Sequence, residues 1–450
     1  MIQRVLIANR GEIAVRIIRA CKNLGIETVA VYSQGDTDAL HVHLADEAVC
    51  IGEAPAAQSY LNKENIISAA IGSKAEAIHP GFGFLSEDAE FATLVESCDL
   101  TFIGPSPRVI ESMGDKSRAK ELMKAAEVPL VPGSSGEVTL KEGRAIAEEI
   151  GYPVLIKASA GGGGRGMRVV RRNDQFETLF DAARQEAGAS FSHSGVYIEK
   201  YIDNPRHVEV QILADKYGSV IHLGTRDCSI QRRNQKVLEE APATLPDALR
   251  DAIHETSIKA AKHVGYENAG TMEYIVENER FYFIEMNTRI QVEHPVSEMI
   301  SGIDIIEEQL RIASGEALRH SQSSISFKGH AIEARINAEN PKENFRPAPG
   351  RITALHVPGG PGVRFDSPMY AGYFIPPHYD SMVGKLIVHS ETRREAIQKL
   401  KATLEELVVE GVSTNQYFHM MIMLEPAFVE GDVSTAFIEK HLEGLLDYET

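Results

Sequence analysis

The segment "FIEMNTRIQVEHP", Phe283 to Pro295, carries carboxylates, amides and a guanidinium at alternate positions. With the period of two that an extended chain imposes, Glu285, Asn287, Arg289, Gln291 and Glu293 share one face. Ile284, Met286, Thr288, Ile290 and Val292 share the other. A solvated strand would alternate in the same way, although its polar face usually favours Lys, Thr and Ser. The preceding "GTMEYIVE" reads as the partner strand of a hairpin, joined by "NER". A three-residue loop at 278–280 sets 277 opposite 281 and, in the same register, Glu273 opposite Glu285. Facing carboxylates repel and raise one another's pKa unless a cation sits between them. With Asn287 one step along, the donor set is all oxygen, which suits Mg²⁺ or Mn²⁺ rather than zinc. So few protein ligands leave room for water and phosphates, and a nucleoside triphosphate is the natural supplier. Phosphates need cations. The candidates are Lys116 in "MGDKSRAK", Lys157 in "VLIKASA" and Lys236 in "QRRNQK", each of which taken alone reads as an ordinary surface lysine.

Lys157 precedes "ASAGGGGRGM", in which Gly161, Gly163 and Gly166 satisfy G-x-G-x-x-G. The flanks argue against a dinucleotide fingerprint: "MRVVRR" follows as a strand pattern, whereas the fingerprint must open a helix. Arg-Gly-Met also stands where a P-loop has Gly-Lys-Ser/Thr. The remaining reading is a hairpin loop, the tip of a lid whose backbone N–H groups face phosphates and which closes to exclude water.

These residues need elements to position them. "RVLIAN", "GEIAVRIIRACKNLG" and "IETVAVY" read as strand, helix and strand, a unit that implies a parallel sheet, and the pattern recurs to about residue 104. A helical stretch, "SRAKELMKAAE", leads to a Pro/Gly/Ser boundary near residue 130. A compact run of helix, strand, glycine loop, strand, helix and strand follows, to about residue 203. Then come a hairpin with its turn at "DKYG", a long helix around 245–263 and the Glu273/Glu285 hairpin. The chain is expected to end on an amphipathic helix, "RREAIQKLKATLEELVVEG".

A length of 450 residues implies several domains. The net charge of −18 argues against a nucleic-acid binder. No apolar run is long enough to span a membrane, and the N-terminus does not read as a secretion signal. Four scattered cysteines without a C-x-x-C fit a reducing, cytoplasmic compartment and buried apolar positions.

In order and spacing, "ANRGEIAVRIIRA", "HPGFGFLSE", "KASAGGGGRGM", "RDCSIQRRNQK", "FIEMNTRIQVEHPVSE" and "YDSMVGKLI" resemble the biotin carboxylase subunit of acetyl-CoA carboxylase and its relatives. The resemblance runs over essentially the whole chain. It implies an α/β and α+β protein with the ATP-grasp fold: a Rossmann-like domain at 1–114, a helical linker at 115–130, a small mobile lid at 131–203 and a larger C-terminal domain at 204–450. The family's reaction phosphorylates bicarbonate with ATP and passes the carboxyl group to biotin on a carrier protein.

Carried over residue by residue, the resemblance implies that Glu273, Glu285 and Asn287 hold metal, with two ions expected. Lys116, Lys157, Gly163, Gly164, His207, Gln231 and Asn234 meet ATP, with Glu199, Lys200, Tyr201 and Ile202 along the adenine edge. Lys236, Arg289, Gln291 and Val292 bind bicarbonate, Glu293 is the base, and Arg335 faces biotin near Phe82. Asn234 stands where the family often has histidine, and Phe82 where it often has tyrosine. A biotin carboxyl carrier protein, carboxyltransferase subunits and a second copy of the chain are the implied partners. The runner-up is another ATP-grasp carboxylate ligase, which would keep the two glutamates but would not need "RIQVEHP" or Arg335.

Overall fold

The computed structural model describes residues 1–159, 167–191 and 193–448. Near the N-terminus, strand Arg4–Ile7 is followed by helix Gly11–Asn23, whose Ile13, Ile17 and Cys21 pack on Val5 and Ile7. Gly25, at φ +69°, takes the left-handed conformation that turns the chain out of the helix. Strand Glu27–Ser33 then returns parallel to the first. Five parallel strands complete this sheet, in the order Glu47–Gly52, Glu27–Ser33, Arg4–Ile7, Ala77–His79, Thr101–Phe102. Cys21 and Cys228 are buried as apolar residues, but Cys50 lies on an edge strand and is exposed, contrary to expectation.

Residues 140–200 build a small unit around a core of their own. Thr139 and Glu142 form a capping box that starts helix Leu140–Ile150. That helix and Phe176–Phe191 accompany a three-stranded sheet of Arg168–Val170, Val154–Ala158 and Val196–Lys200. Phe176, Phe180, Val154, Ile156, Val170 and Ile198 fill the space between. Val154 pairs with Val170 and Ile156 with Arg168 in antiparallel register. A strand therefore follows the glycine run, and the dinucleotide reading is ruled out. Gly161, Gly163, Gly164 and Gly166 lie outside the described residues.

The chain enters this unit through Gly133, which no larger residue can replace without rearrangement. A β-carbon there would stand 2.2 Å from the Ile198 carbonyl oxygen. Gly133→Val is expected to lower the thermal midpoint by several degrees and to expose this small unit to limited proteolysis. An unchanged midpoint and cleavage pattern would contradict this packing.

The largest element is an eight-stranded antiparallel sheet. Its order is Arg280–Asn287, Asn268–Glu277, Arg206–Ala214, Val220–Arg232, Gln235–Ala241, His330–Asn337, Met382–Ser390, Val363–Asp366. Helix Asp247–Val264 buries Leu249, Ile253 and Ala260 against Val208, Val210 and Met272.

The hairpin that carries the acidic pair differs from the sequence expectation in an instructive way. Its turn has two residues, Asn278 and Glu279, at φ 48° and 62°, the geometry of the hairpin turn best matched to strand twist. Glu277 therefore faces Arg280, one position short of the expected register, until a bulge beyond Tyr274 and Phe283 adds a residue. That bulge restores Glu273 opposite Glu285.

Two other expectations are corrected. The strand ends at Asn287, so the alternation through Glu293 is not one continuous extended face. Three further helices, Gln416–Leu424, Pro426–Glu430 and Phe437–Leu445, follow helix Arg393–Glu406. The first of them is packed into the core along Phe418, Ile422 and Met423 and has too little polar face to read as amphipathic. Among the described residues no helix is long and apolar enough to cross a membrane.

Candidate active site

A cleft of about 1540 Å³ opens between the parallel sheet, the small three-stranded unit and the large sheet, and every sequence-selected site residue in the described chain lines it. The end next to the small unit is cationic. Asp115 Oδ1 accepts the Arg118 N–H at 2.9 Å and starts helix Lys116–Ala125, which brings Lys116 to the wall. Lys157, on strand Val154–Ala158, donates to Glu199 Oε2 at 2.9 Å, and Lys120 binds the other oxygen of Glu199. Burial, and then the Lys157 charge, lower the pKa of Lys116. Lysines gathered this closely suit a polyanion. Lys120 was missed from sequence, although it lies four residues after Lys116 on one helical face.

The Glu199–Ile202 segment forms the rim next to these lysines. Lys200 spends its ammonium on the Gly151 and Tyr152 carbonyls, at 2.9 and 3.2 Å. Tyr201 donates its N–H to Pro153 at 3.1 Å, and Ile202 is buried. Further in, His207 Nδ1 meets Gln231 Nε2 at 2.9 Å, and its Nε2 lies 2.9 Å from Glu273 Oε2. Burial works against a charged His207 ring, but Glu273 outweighs it and the pKa is raised.

Lys236 is the hub of the cleft. Its ammonium donates to Glu209 Oε2 at 2.5 Å, Glu273 Oε1 at 2.9 Å and Glu293 Oε1 at 2.6 Å. Burial disfavours the charge, yet the surrounding acidic groups hold the Lys236 pKa well above its usual value. Glu293 immediately precedes helix His294–Ser301 and gives its second oxygen to Arg335, at 2.8 Å. Burial would raise its pKa, but Lys236, Arg335 and Arg226 hold it far below the usual carboxylate range.

Beneath the hub, Arg226 is fully buried and every guanidinium nitrogen is used. Its partners are Glu209 at 2.5 Å, Gln211 at 2.7 Å, Ser297 at 3.0 Å, Thr271 at 3.1 Å and Gln291 Oε1 at 2.6 Å. The last contact turns Gln291 Nε2 onto Glu273 Oε1, at 2.7 Å. Glu209 and Arg226 were not selected from sequence. A signal was present in "RHVEVQI", where His207, Glu209 and Gln211 alternate with valines.

Arg289 donates to Glu87 Oε2 at 2.8 Å and to Asn287 Oδ1 at 3.1 Å, so Glu87 was also missed. The Val292 carbonyl accepts Lys385 Nζ at 2.7 Å. Asn234 occupies the turn between two strands at φ 63°, a left-handed position that asparagine tolerates well. Phe82 is half-buried at the edge of the core, with its carbonyl held by Asn9 Nδ2 at 2.7 Å.

The acidic pair fits a hard divalent cation. Among the described residues Glu285 has no hydrogen-bond partner, and its side chain is exposed at the cleft surface. The cleft walls, then the facing Glu273 carboxylate, raise its pKa. Glu273 already has Lys236 and His207 as partners, whereas Glu285, a carboxylate without a donor beside Glu273 and the Asn287 amide, adds an oxygen ligand still open to a cation.

Comparisons with known proteins agree along the whole length. Residues 1–110 match the biotin carboxylase N-terminal domain, 115–321 the ATP-binding domain of the carbamoyl-phosphate synthase L chain, and 333–440 the biotin carboxylase C-terminal domain. The biotin carboxylase of Nostoc sp. is 58% identical over 440 residues, covering 97% of this chain and 98% of that protein. The biotin carboxylase domain of Hydrogenobacter thermophilus 2-oxoglutarate carboxylase, a dimer solved with MgADP, ADP and bicarbonate, superposes with a TM-score of 0.95. It is 51% identical, with both chains fully covered. The biotin carboxylase subunit of a pyruvate carboxylase gives a TM-score of 0.88 at 52% identity, again with both chains fully covered.

Proposed function

From the premise that this chain belongs to the biotin carboxylase family of ATP-dependent ligases, we propose that it carboxylates biotin on a separate carrier protein, as the first half-reaction of an acetyl-CoA carboxylase. The observation that carries this reading is the Lys236 hub: one ammonium shared by Glu209, Glu273 and Glu293, with Arg289, Gln291 and Arg335 around it.

Lys116 and Lys157 hold the phosphates of ATP, with Lys120 beside them, and the Glu199–Ile202 rim takes the adenine. His207, Gln231 and Asn234 line the nucleotide side. Glu273, Glu285 and Asn287 would hold Mg²⁺ or Mn²⁺, which supplies charge neutralisation at the transferring phosphoryl group. Bicarbonate lies on Lys236, Arg289, Gln291 and Val292, where the flat guanidinium matches a flat anion. As the anion draws on the Lys236 ammonium, Glu293 loses part of what depresses its pKa and becomes a better base for the bicarbonate proton. The bicarbonate oxygen bonds to the γ-phosphorus and ADP leaves, giving carboxyphosphate. Carboxyphosphate then splits into CO2 and inorganic phosphate, the phosphate takes the N1′ proton of biotin, and N1′ bonds to the CO2 carbon. Arg335 faces the oxygen of biotin that becomes negative as the ring is deprotonated, and Phe82 lies at that end.

The cytoplasm, a homodimer and carboxyltransferase partners complete the proposal. The H. thermophilus relative is a dimer. The 2-oxoglutarate and pyruvate carboxylase neighbours favour a keto acid as the second reading of the final acceptor. The test is ADP release that requires bicarbonate and rises with free biotin; no response to biotin overturns the assignment. At the acidic pair, Glu285→Gln is expected to raise the Mg²⁺ concentration for half-maximal ADP release about tenfold, measured by metal titration at saturating ATP. An unchanged requirement would remove Glu285 from the metal set.

A further inference from the structure

Behind Arg335 lie two glutamates whose oxygens are not accounted for. Strands Gln235–Ala241, His330–Asn337 and Met382–Ser390 run side by side, with Glu239 directly opposite Glu333 and Arg335 opposite Lys385. Opposite residues, and residues two apart, share a face. These four side chains therefore form one patch, and helix His294–Ser301 packs on the same three strands.

Glu239 Oε1 accepts Arg335 Nε at 2.6 Å. Glu239 Oε2 and both oxygens of Glu333 are buried and have no hydrogen-bond partner among the described residues. Both side chains are 0% exposed. Two ionised carboxylates at cross-strand spacing, roughly 4.5–5.5 Å between β-carbons, would repel strongly in so dry a place.

The neighbouring cations, Lys385 and Arg335, have other partners, and their charges do not outweigh burial at Glu333. Arg335 is committed to Glu239 and Glu293. Lys385 donates to the Val292 carbonyl at 2.7 Å and pairs with Glu12 at 3.2 Å. From the covering helix, Glu293 adds negative charge, and burial keeps His294 neutral by pushing its pKa well down. One proton resolves the arrangement, because an acid O–H can fill the empty acceptor on the opposite carboxylate.

We propose that Glu333 is a neutral acid whose O–H donates to Glu239 Oε2, and that this contact holds Glu239 in the orientation that aims Arg335 at the biotin end of the cleft. Glu239 keeps the charge because it is the one bound to the guanidinium. Electrostatics agree: burial raises Glu239 to about 7 and Glu333 well above the carboxylate range. Both are positioning residues. The final clause rests on the biotin carboxylase reading; the shared proton does not.

Three samples of the full-length enzyme test this. In heavy water at neutral pH, the infrared spectrum of the wild type should contain a protonated-carboxyl band that Glu333→Gln removes. Glu333→Gln should carboxylate biotin at a rate close to wild type, because its amide N–H donates to the same oxygen. Glu333→Leu leaves that oxygen unpaired and should lose about tenfold in biotin-dependent turnover, with a smaller loss in biotin-independent ATP cleavage. A wild-type spectrum without the band, or one unchanged in Glu333→Gln, overturns the shared proton. Equal biotin-dependent rates for Glu333→Leu and Glu333→Gln overturn the positioning role. A wild type that ignores biotin counts against the functional reading alone, while the band still decides the proton.

Discussion

Glu293→Gln is expected to slow bicarbonate-dependent ADP formation by about 10²–10⁴-fold, the range for loss of a positioned general base. Glutamine keeps the shape but has one acceptor oxygen where Glu293 has two, so it can accept from Lys236 or from Arg335, which hold the two carboxylate oxygens at 2.6 and 2.8 Å, but not from both in this geometry. What it lacks is the capacity to take a proton. ATP affinity should hardly change, since the lysines at the cationic end of the cleft are untouched, so the loss should appear in kcat rather than in KM for ATP. The sign of the pH dependence is fixed by the depressed pKa of Glu293. Its ion-pair contribution to stability is fully present above the unfolded value near 4.3. It is lost only as the pH falls through the lower folded value. Titration of free-enzyme Glu293 therefore cannot produce an acid limb of the rate near neutrality. Steady-state kinetics with saturating bicarbonate make the check, and a glutamine variant within severalfold of wild type would remove Glu293 from the role of base.

Arg226→Met is expected to cost about 3–5 kcal/mol of stability, the usual penalty for stripping one partner from a buried ion pair. The size follows from geometry. Arg226 and Glu209 are both 0% exposed, and all the guanidinium nitrogens are engaged. Without them Glu209 keeps Lys236 and the His207 ring 4.0 Å away, and Gln291 loses the contact that turns its amide toward Glu273. Denaturant unfolding should show the loss in midpoint, and bicarbonate KM should rise in whatever enzyme remains folded. A variant with parental stability and KM would mean that Arg226 neither anchors the sheet nor orients Gln291.

Much of this site could be read from residue order because its chemistry is written at short range. Glu285, Asn287, Arg289, Gln291 and Glu293 are close in sequence and all reach the cleft, even though the strand stops at Asn287. The Glu273–Glu285 pairing was reached with a turn one residue too long, and a bulge supplied the compensating residue. Neither the left-handed Asn278–Glu279 turn nor the bulge leaves a strong composition signal, since Glu279 is an unusual residue at φ 62°. Glu209, Arg226, Glu239 and Glu333 were passed over for a different reason, although the alternation around Glu209 offered a signal. They meet only when separate strands are laid side by side, and nothing within any one strand names the partner on the next. The β-α-β alternation of the first hundred residues was legible because helical and strand periods differ, whereas the buried helix Gln416–Leu424 has too little polar face to show its period.

The account stands or falls on where the oxygen of bicarbonate goes. With ¹⁸O-labelled bicarbonate, unlabelled ATP and free biotin, attack on the γ-phosphorus carries one bicarbonate oxygen into the inorganic phosphate. The account predicts labelled phosphate in step with ADP and with carboxybiotin. Phosphate that takes its new oxygen from water, with no label transferred, would contradict it.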